Sequence, residues 1–133
     1  MRDYARHQTA LLIDRLATAL HRAAREVDPQ SIHGVRVVMR RLSGCLRVFA
    51  PFYPKGSAKK IRRRISMLMA AAGAVRDCDI AIQLAARAGV ARRSRMAAQL
   101  AARRRKSGRD LLAEIRHWRD RDTLRRWRAR LEL

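Results

Sequence analysis

The sequence predicts an all-α fold, an antiparallel four-helix bundle with a short C-terminal helix. Apolar residues recur at spacings of three and four along most of the chain, and no segment alternates polar and apolar residues as a strand does. Proline and glycine interrupt this pattern at the predicted helix ends. A chain of 133 residues is long enough for one hydrophobic core. We therefore expect a single domain over 1–133, with a bundle over about 3–119 and a helical tail over about 120–133.

Two helices are predicted before the first long turn. Helix one runs from about Asp3 to Val27, and its inward face is Tyr4, Leu11, Leu12, Leu16, Leu20, Ala23 and Val27. Asp28 is placed to cap the free amides of helix two, and Pro29 suits the first helical turn, where no backbone donor is needed. Helix two ends at Pro51–Pro54, because proline cannot continue the helical hydrogen bonding.

Three further helices complete the predicted bundle. Helix three covers about 58–88, with Ser57 as its N-cap and Gly89 at its C-terminal end. Helix four covers about 91–119, and Gly108 is expected to weaken or kink it. The inward residues of helix four are Ala97, Leu100, Ala101, Leu111, Leu112, Ile115 and Trp118. Helix five covers about 123–131 and packs through Leu124, Trp127 and Leu131.

The charge balance points to an anionic partner. Lysine and arginine total 32 residues, aspartate and glutamate total 11, and the formal net charge is +21. A compact body with this excess repels itself, so a polyanion or counterions should stabilise it. Arginine supplies 28 of the cations, and its planar guanidinium matches phosphate oxygens two at a time.

Other classes of site receive little support from the sequence. Cys45 and Cys78 lie far apart without CxxC spacing, which is typical of buried, reduced thiols in a cytosolic protein. The longest uncharged run, Ile65–Val75, is too short to span a bilayer, and the amino terminus lacks the apolar segment of a signal peptide. We therefore expect a soluble cytoplasmic protein with no membrane partner, no cofactor and no bound metal.

A cationic stripe on helix two is the strongest functional signal. At about 100° per residue, His33, Arg36, Arg40, Gly44 and Arg47 fall within about 80° of one another. The apolar residues of the same helix lie on its opposite side, where they can be buried. No acidic residue occurs between Asp28 and Asp77. The helix therefore combines an apolar back with a front suited to an anion of several charges.

Helix three carries a second stripe with the spacing of one helical face. Its members are Lys55, Lys59, Arg62, Ser66, Met69, Gly73 and Arg76. If the two stripes share one side of the bundle, they form a basic groove. Phosphates bound in series would then meet cations in series, and the binding would weaken with salt.

Two motifs in these helices resemble a known family. The segments HGVRVVMRRL (33–42) and LRVF (46–49) are similar to the HxxRVxxRRLR…LRxF segment of the CHAD domain, the conserved histidine α-helical domain. The segment GAVRDCD (73–79) is similar to its LGxxRDxDV segment. The resemblance implies an all-helical protein that binds inorganic polyphosphate in a basic channel, often beside triphosphate-tunnel enzymes or at polyphosphate granules.

The resemblance carries polyphosphate contacts over to His33, Arg36, Arg40, Arg41, Arg47 and Arg76. With the stripe on helix three, the predicted binding set is His33, Arg36, Arg40, Arg41, Arg47, Lys55, Lys59, Arg62 and Arg76. Asp77 and Asp79 are predicted to support this set by fixing Arg76 and Arg62 through salt bridges. A magnesium ion held by the two aspartates and bridging the phosphates is the alternative.

The chain also departs from the family pattern. Gly34 replaces a larger polar residue, and Ser43 stands where a further arginine is common. The family usually has two related helical bundles, whereas nothing after Leu84 resembles the second motif, so we expect a shortened member that matches mainly the first half. Two copies pairing as a homodimer would rebuild the missing half, with helix four and the Trp118–Trp127 tail as candidate contacts.

Competing functions can be stated from the same residues. His33 is interpreted as an anion contact, with a structural histidine or a metal ligand as alternatives. A nucleic-acid binder is the alternative to polyphosphate binding, although few aromatic residues are present to stack on bases. An enzyme acting through His33 or Asp77 and Asp79 is disfavoured, because no nucleophile–base pair or glycine-rich phosphate loop is found.

Overall fold

Five α-helices and one short 3-10 turn make up the chain, and the computed structural model describes residues 1–133. The elements in order are α1 (Arg2–Arg25), α2 (Pro29–Val48), the 3-10 turn (Ala50–Phe52), α3 (Ser57–Arg87), α4 (Arg95–Asp120) and α5 (Thr123–Arg130). No strand is present. The predicted all-α bundle with a short C-terminal helix is confirmed. None of the five helices combines the length and hydropathy that a membrane crossing requires.

The α2 helix has the N-cap that the sequence predicts, whereas the α3 helix has a different one. The Asp28 side chain accepts from the Ser31 backbone N–H at 2.7 Å, and the Ser31 hydroxyl accepts from the Asp28 N–H at 3.1 Å. The expectation that Ser57 caps α3 is wrong. The cap is Gly56, whose φ of 80° is a left-handed conformation that glycine adopts without a Cβ clash.

Each helix packs mainly on its neighbour in the chain, and the four long helices enclose one core. Among its fully buried side chains are Leu16 on α1, Met39 on α2, Leu68 on α3 and Leu111 on α4. The tail helix α5 belongs to the same core, because Trp127 and Leu131 are 5% and 2% exposed. The Arg128 guanidinium on α5 also donates to the Ala10 carbonyl oxygen at 3.3 Å and pairs with Asp14 on α1.

Parts of the predicted inward faces are not buried. Tyr4 is 58% exposed and packs edge-on against Phe49, with ring centroids 6.1 Å apart. In α4 the first fully buried residue is Gly108, and Ala97, Leu100 and Ala101 are only half-buried. The reason is length: α3 has 31 residues and α2 has 20, so about seven residues at the end of α3 extend roughly 10 Å past the start of α2 at 1.5 Å per residue. Residues 80–107 thus form a hairpin that projects beyond α1 and α2, which we call the projecting hairpin.

One arginine ties the base of the projecting hairpin to the bundle. The Arg104 Nε atom donates to Asp79 Oδ1 at 2.7 Å, and its Nη2 atom donates to the Val27 carbonyl oxygen at 2.6 Å. Arg104 therefore joins α4, α3 and the turn between α1 and α2. A Cβ atom at Gly108 would lie 2.9 Å from the Arg104 Nη1 atom. The α4 helix is continuous through Gly108. The absence of a side chain at Gly108 leaves room for this guanidinium.

We expect Asp79→Asn to lower the free energy of unfolding by about 1–3 kcal/mol, because the Arg104 guanidinium, only 20% exposed, loses its anionic partner. Asp77→Asn is the matched control, since Asp77 is exposed and makes no ion pair. Urea titration followed by circular dichroism measures both. Equal midpoints for the two variants would contradict the bridging role of Arg104.

A second prediction concerns the cap of α2. The hydrogen bond from the Ser31 backbone N–H holds the pKa of Asp28 below its usual range. The stabilisation is therefore present above the pKa of Asp28 in the unfolded chain, and it is lost as the pH falls through the lowered pKa of the folded state. Asp28→Ala should lower Tm at pH 7, and its difference from the wild type should shrink in acid. Asp3→Ala, an exposed carboxylate without a cap bond, serves as the control in thermal scans. A pH-independent difference would contradict this.

Candidate functional site

Two contacts establish how the stripes of α2 and α3 face each other. The Arg36 Nη1 atom on α2 lies 3.1 Å from the position that a Cβ atom at Gly73 on α3 would occupy. About 11 Å further along α2 and about 17 Å back along α3, the Arg62 Nε atom on α3 donates to the Ser43 hydroxyl on α2 at 3.4 Å. From the first contact to the second, the residue number rises on α2 and falls on α3, so the two helices run antiparallel. The two stripes therefore border one surface, which we call the α2–α3 groove.

The same alignment of α2 and α3 places other members of the two stripes at similar heights along the helix axes. His33 lies at about the level of Arg76, and Arg47 lies at about the level of Lys59. The levels of His33 and Arg47 are about 21 Å apart at 1.5 Å per residue. Along this length Arg36 and Arg62 are half-buried, whereas the other cations of the stripes are exposed. The two rows of cations thus run side by side for about 21 Å along the α2–α3 interface.

Two members of the predicted binding set lie apart from this arrangement. Arg41 is about 100° round α2 from Arg40. It lies on the flank of Cys45, whose Sγ atom contacts Thr9 Oγ1 on α1 at 3.4 Å. Lys55 is in the turn before α3 rather than in the helix, so helical spacing does not set its direction. Arg41 therefore lies outside the groove, and Lys55 has no helical position. The members of the predicted set that lie along the groove are His33, Arg36, Arg40, Arg47, Lys59, Arg62 and Arg76.

The two aspartates do not make the salt bridges expected of them. Asp79 pairs with Arg104, on the side of α3 that faces α4, and Asp77 is exposed without an ion pair. The physical reason is position, since Asp79 lies about 100° from Arg62 on the helix, towards the core side. Arg76 and Arg62 consequently have no carboxylate partner.

No cation of the α2–α3 groove forms an ion pair. The chain has five salt bridges, and all of them engage other basic residues: Arg104, Lys106, Arg119, Arg125 and Arg128. The groove therefore keeps its positive charge uncompensated by the protein itself. No group of three or more His, Cys, Asp and Glu side chains is arranged to hold a metal ion. Cys45 and Cys78 are free thiols, and both are half-buried.

Chemically, the groove offers donors and positive charge. Guanidinium groups donate in pairs to phosphate or carboxylate oxygens, and the lysine ammonium adds a point charge. Sequence reasoning missed two structural parts of this surface. Gly73 provides the space over which Arg36 lies, and Ser43 accepts from Arg62, although the sequence suggested only that Ser43 removes a cation. The position of Gly73 within the stripe was the available signal for the first of these.

Comparison with known proteins agrees with the motifs. The family model of the CHAD domain matches residues 7–133, which include both motifs and all of α5. Neither a curated protein nor a solved structure matches the chain significantly. CHAD domains are in general associated with polyphosphate binding. Because the match covers essentially the whole chain, the protein belongs to the CHAD domain family.

Proposed function

We propose that this protein binds inorganic polyphosphate along the α2–α3 groove without catalysing a reaction. The observation that carries the proposal is the antiparallel register of Arg36 over Gly73 and Arg62 on Ser43. This register sets two rows of cations along one surface, and none of them has an acidic partner. The proposal includes a cytoplasmic location with association to polyphosphate granules, which follows from the family and not from the geometry.

The shape of the groove favours a linear polyanion. Each charge-assisted hydrogen bond from an arginine to a phosphate contributes roughly 1.5–3 kcal/mol, and a groove of about 21 Å allows several such bonds in series. Bound anion would also relieve the repulsion within a chain of net charge +21. Binding should therefore strengthen with the length of the polyphosphate and weaken as salt rises. The absence of paired acid and base groups along the groove supports binding without catalysis.

We expect Arg40→Glu to weaken the binding of long-chain polyphosphate by about 10- to 100-fold, because an exposed groove donor becomes a like charge for the ligand. Arg116→Glu makes the same charge change on the exposed face of α4, where no groove residue lies, and should have a much smaller effect. Calorimetric isotherms with polyphosphates of several lengths at two salt concentrations measure the difference.

Three results, from this titration, from a competition with DNA and from a phosphate-release assay, would contradict the proposal. Equal losses for Arg40→Glu and Arg116→Glu would mean that net charge alone attracts the ligand. Displacement of long-chain polyphosphate by duplex DNA at equal phosphate concentration would favour a nucleic-acid binder. Release of inorganic phosphate over hours with magnesium or manganese would favour an enzyme.

A charge-neutral pair of variants tests the geometry of the groove separately. Gly73→Ala should weaken long-chain polyphosphate binding slightly, because the added methyl group forces the Arg36 guanidinium to move by a few tenths of an ångström. Gly34→Ala adds the same methyl group to α2, where no atom lies within 4 Å, and should leave the affinity unchanged. Identical affinities for the two variants would show that the placement of Arg36 over Gly73 does not matter for binding.

The proposal also includes pairing of two copies, with a corrected contact surface. Trp118 and Trp127 are 2% and 5% exposed, so the Trp118–Trp127 tail is part of the core and is not available for a partner. The projecting hairpin instead exposes apolar side chains, among them Leu84 and Met96. Two strongly cationic copies repel each other, so we expect dimers only when polyphosphate is bound. Sedimentation showing monomers at micromolar concentration with polyphosphate present would overturn this part.

A further inference from the structure

A second cationic concavity lies on another side of α3. A half-open cavity of about 450 Å³ lies between α3, the end of α4 and α5, and we call it the α5 cavity. Its basic side chains are Lys60, Arg63, Arg64, His117, Arg121, Arg126 and Arg130. No aspartate or glutamate lines it. Cations from three helices and the turn before α5 therefore converge on one half-open cavity.

The α5 cavity is separate from the α2–α3 groove. On α3, Lys60, Arg63 and Arg64 lie between about 100° and 200° round the helix from Arg62, which belongs to the groove. None of the residues that line the cavity belongs to either stripe. A ligand in the cavity would thus contact a different set of side chains from a ligand in the groove.

The tail of the chain builds the cavity. The α4 helix ends in a tight turn in which Asp122 adopts a left-handed φ of 53°, and α5 then packs against α4 and α1, with one side turned towards α3. The Trp127 ring meets the Trp118 ring edge-on, with centroids 5.0 Å apart, and both rings are buried. The Arg64 guanidinium carbon lies 6.0 Å from the centroid of the Trp118 ring. These contacts give the cavity a packed floor and hold Arg64 at its wall.

The charges of the cavity have no internal compensation. None of its basic residues takes part in a salt bridge. The neighbouring cations behave differently, since Arg125 pairs with Asp122 at 3.2 Å and Arg119 lies 3.9 Å from Asp120. Asp120 and Asp122 are thus paired outside the cavity. Convergent, unpaired cations around a half-open cavity favour an anion with several charges close together.

We propose that the α5 cavity is a second anion-binding site, which takes a compact oligophosphate such as tripolyphosphate. A volume of about 450 Å³ is within the range of cavities that hold small ligands. Cations on three walls suit a short anion held from several sides, whereas the two parallel rows of the groove suit a long one. The inference does not depend on polyphosphate binding in the α2–α3 groove.

The test measures tripolyphosphate binding by calorimetry with full-length protein. Arg126→Gln and Arg130→Gln should each weaken binding at one site per chain by about ten-fold, because each removes one charged donor. Arg125→Gln is the matched control: it is the neighbouring residue on α5, it removes the same charge, and it does not line the cavity. Its tripolyphosphate affinity should stay within about two-fold of the wild type.

A groove variant distinguishes this site from the proposed function. Arg40→Gln should leave tripolyphosphate binding at the α5 cavity unchanged, whatever it does to long-chain polyphosphate. Circular dichroism spectra and Tm values without ligand establish that all variants are folded. Equal effects of Arg125→Gln and Arg126→Gln, or no saturable tripolyphosphate binding by the wild type, would overturn the inference. A larger loss for long-chain polyphosphate than for tripolyphosphate in Arg126→Gln would also overturn it, because the cavity would then serve the long ligand.

Discussion

The antiparallel packing of α2 on α3 is the interaction on which the rest of this structure depends. Ile32, Val35 and Met39 on α2 are buried in the same core as Ile61 and Ile65 on α3. Once these apolar faces are packed, helical geometry sets the direction of every other side chain on the two helices. The cationic stripes then have to border the shared interface. Burial of the apolar faces therefore brings like charges close together, at a cost in electrostatic repulsion that an anionic ligand can relieve.

The distribution of acidic residues explains where this repulsion is tolerated. Asp79 is used to hold Arg104 at the base of the projecting hairpin, and Asp14 is used to hold Arg128 of α5 against α1. The first pair links α3 to α4, and the second links α5 to α1. The groove and the α5 cavity receive no carboxylate at all. Asp79 and Asp14 thus stabilise contacts between helices, whereas the cations of the two surfaces have no acidic partner.

The α3 helix serves three purposes on three of its sides. Its apolar side, with Ile65, Leu68 and Val75, forms the centre of the core. The side of Arg62 and Gly73 borders the α2–α3 groove, and the side of Arg63 and Arg64 forms a wall of the α5 cavity. A helix with so much positive charge would be poorly stable alone, because like charges one turn apart repel. Burial of its apolar side between α2 and α4 supplies the stabilisation that its surface charges oppose.

The sequence alone determined the features that arise from interactions within about four residues. The helices, the cap at Asp28, the turn at Gly89 and the stripe from His33 to Arg47 all follow from local hydrogen bonding and helical periodicity. The two motifs were also sufficient to identify the family. The cap at Gly56 was missed because serine is a preferred capping residue and Ser57 was available next to it. The backbone instead places Gly56 at the cap in a left-handed conformation.

Only the tertiary structure decided which of these local features meet. The level at which Arg36 crosses Gly73, the pairing of Asp79 with Arg104 and the separation of Arg41 from the groove depend on contacts between residues distant in sequence. The α5 cavity depends on how the tail folds back over α3, which no spacing within one helix encodes. Helical periodicity fixes the angle of a side chain about its own axis, but the packing of the core fixes the position of one axis against another.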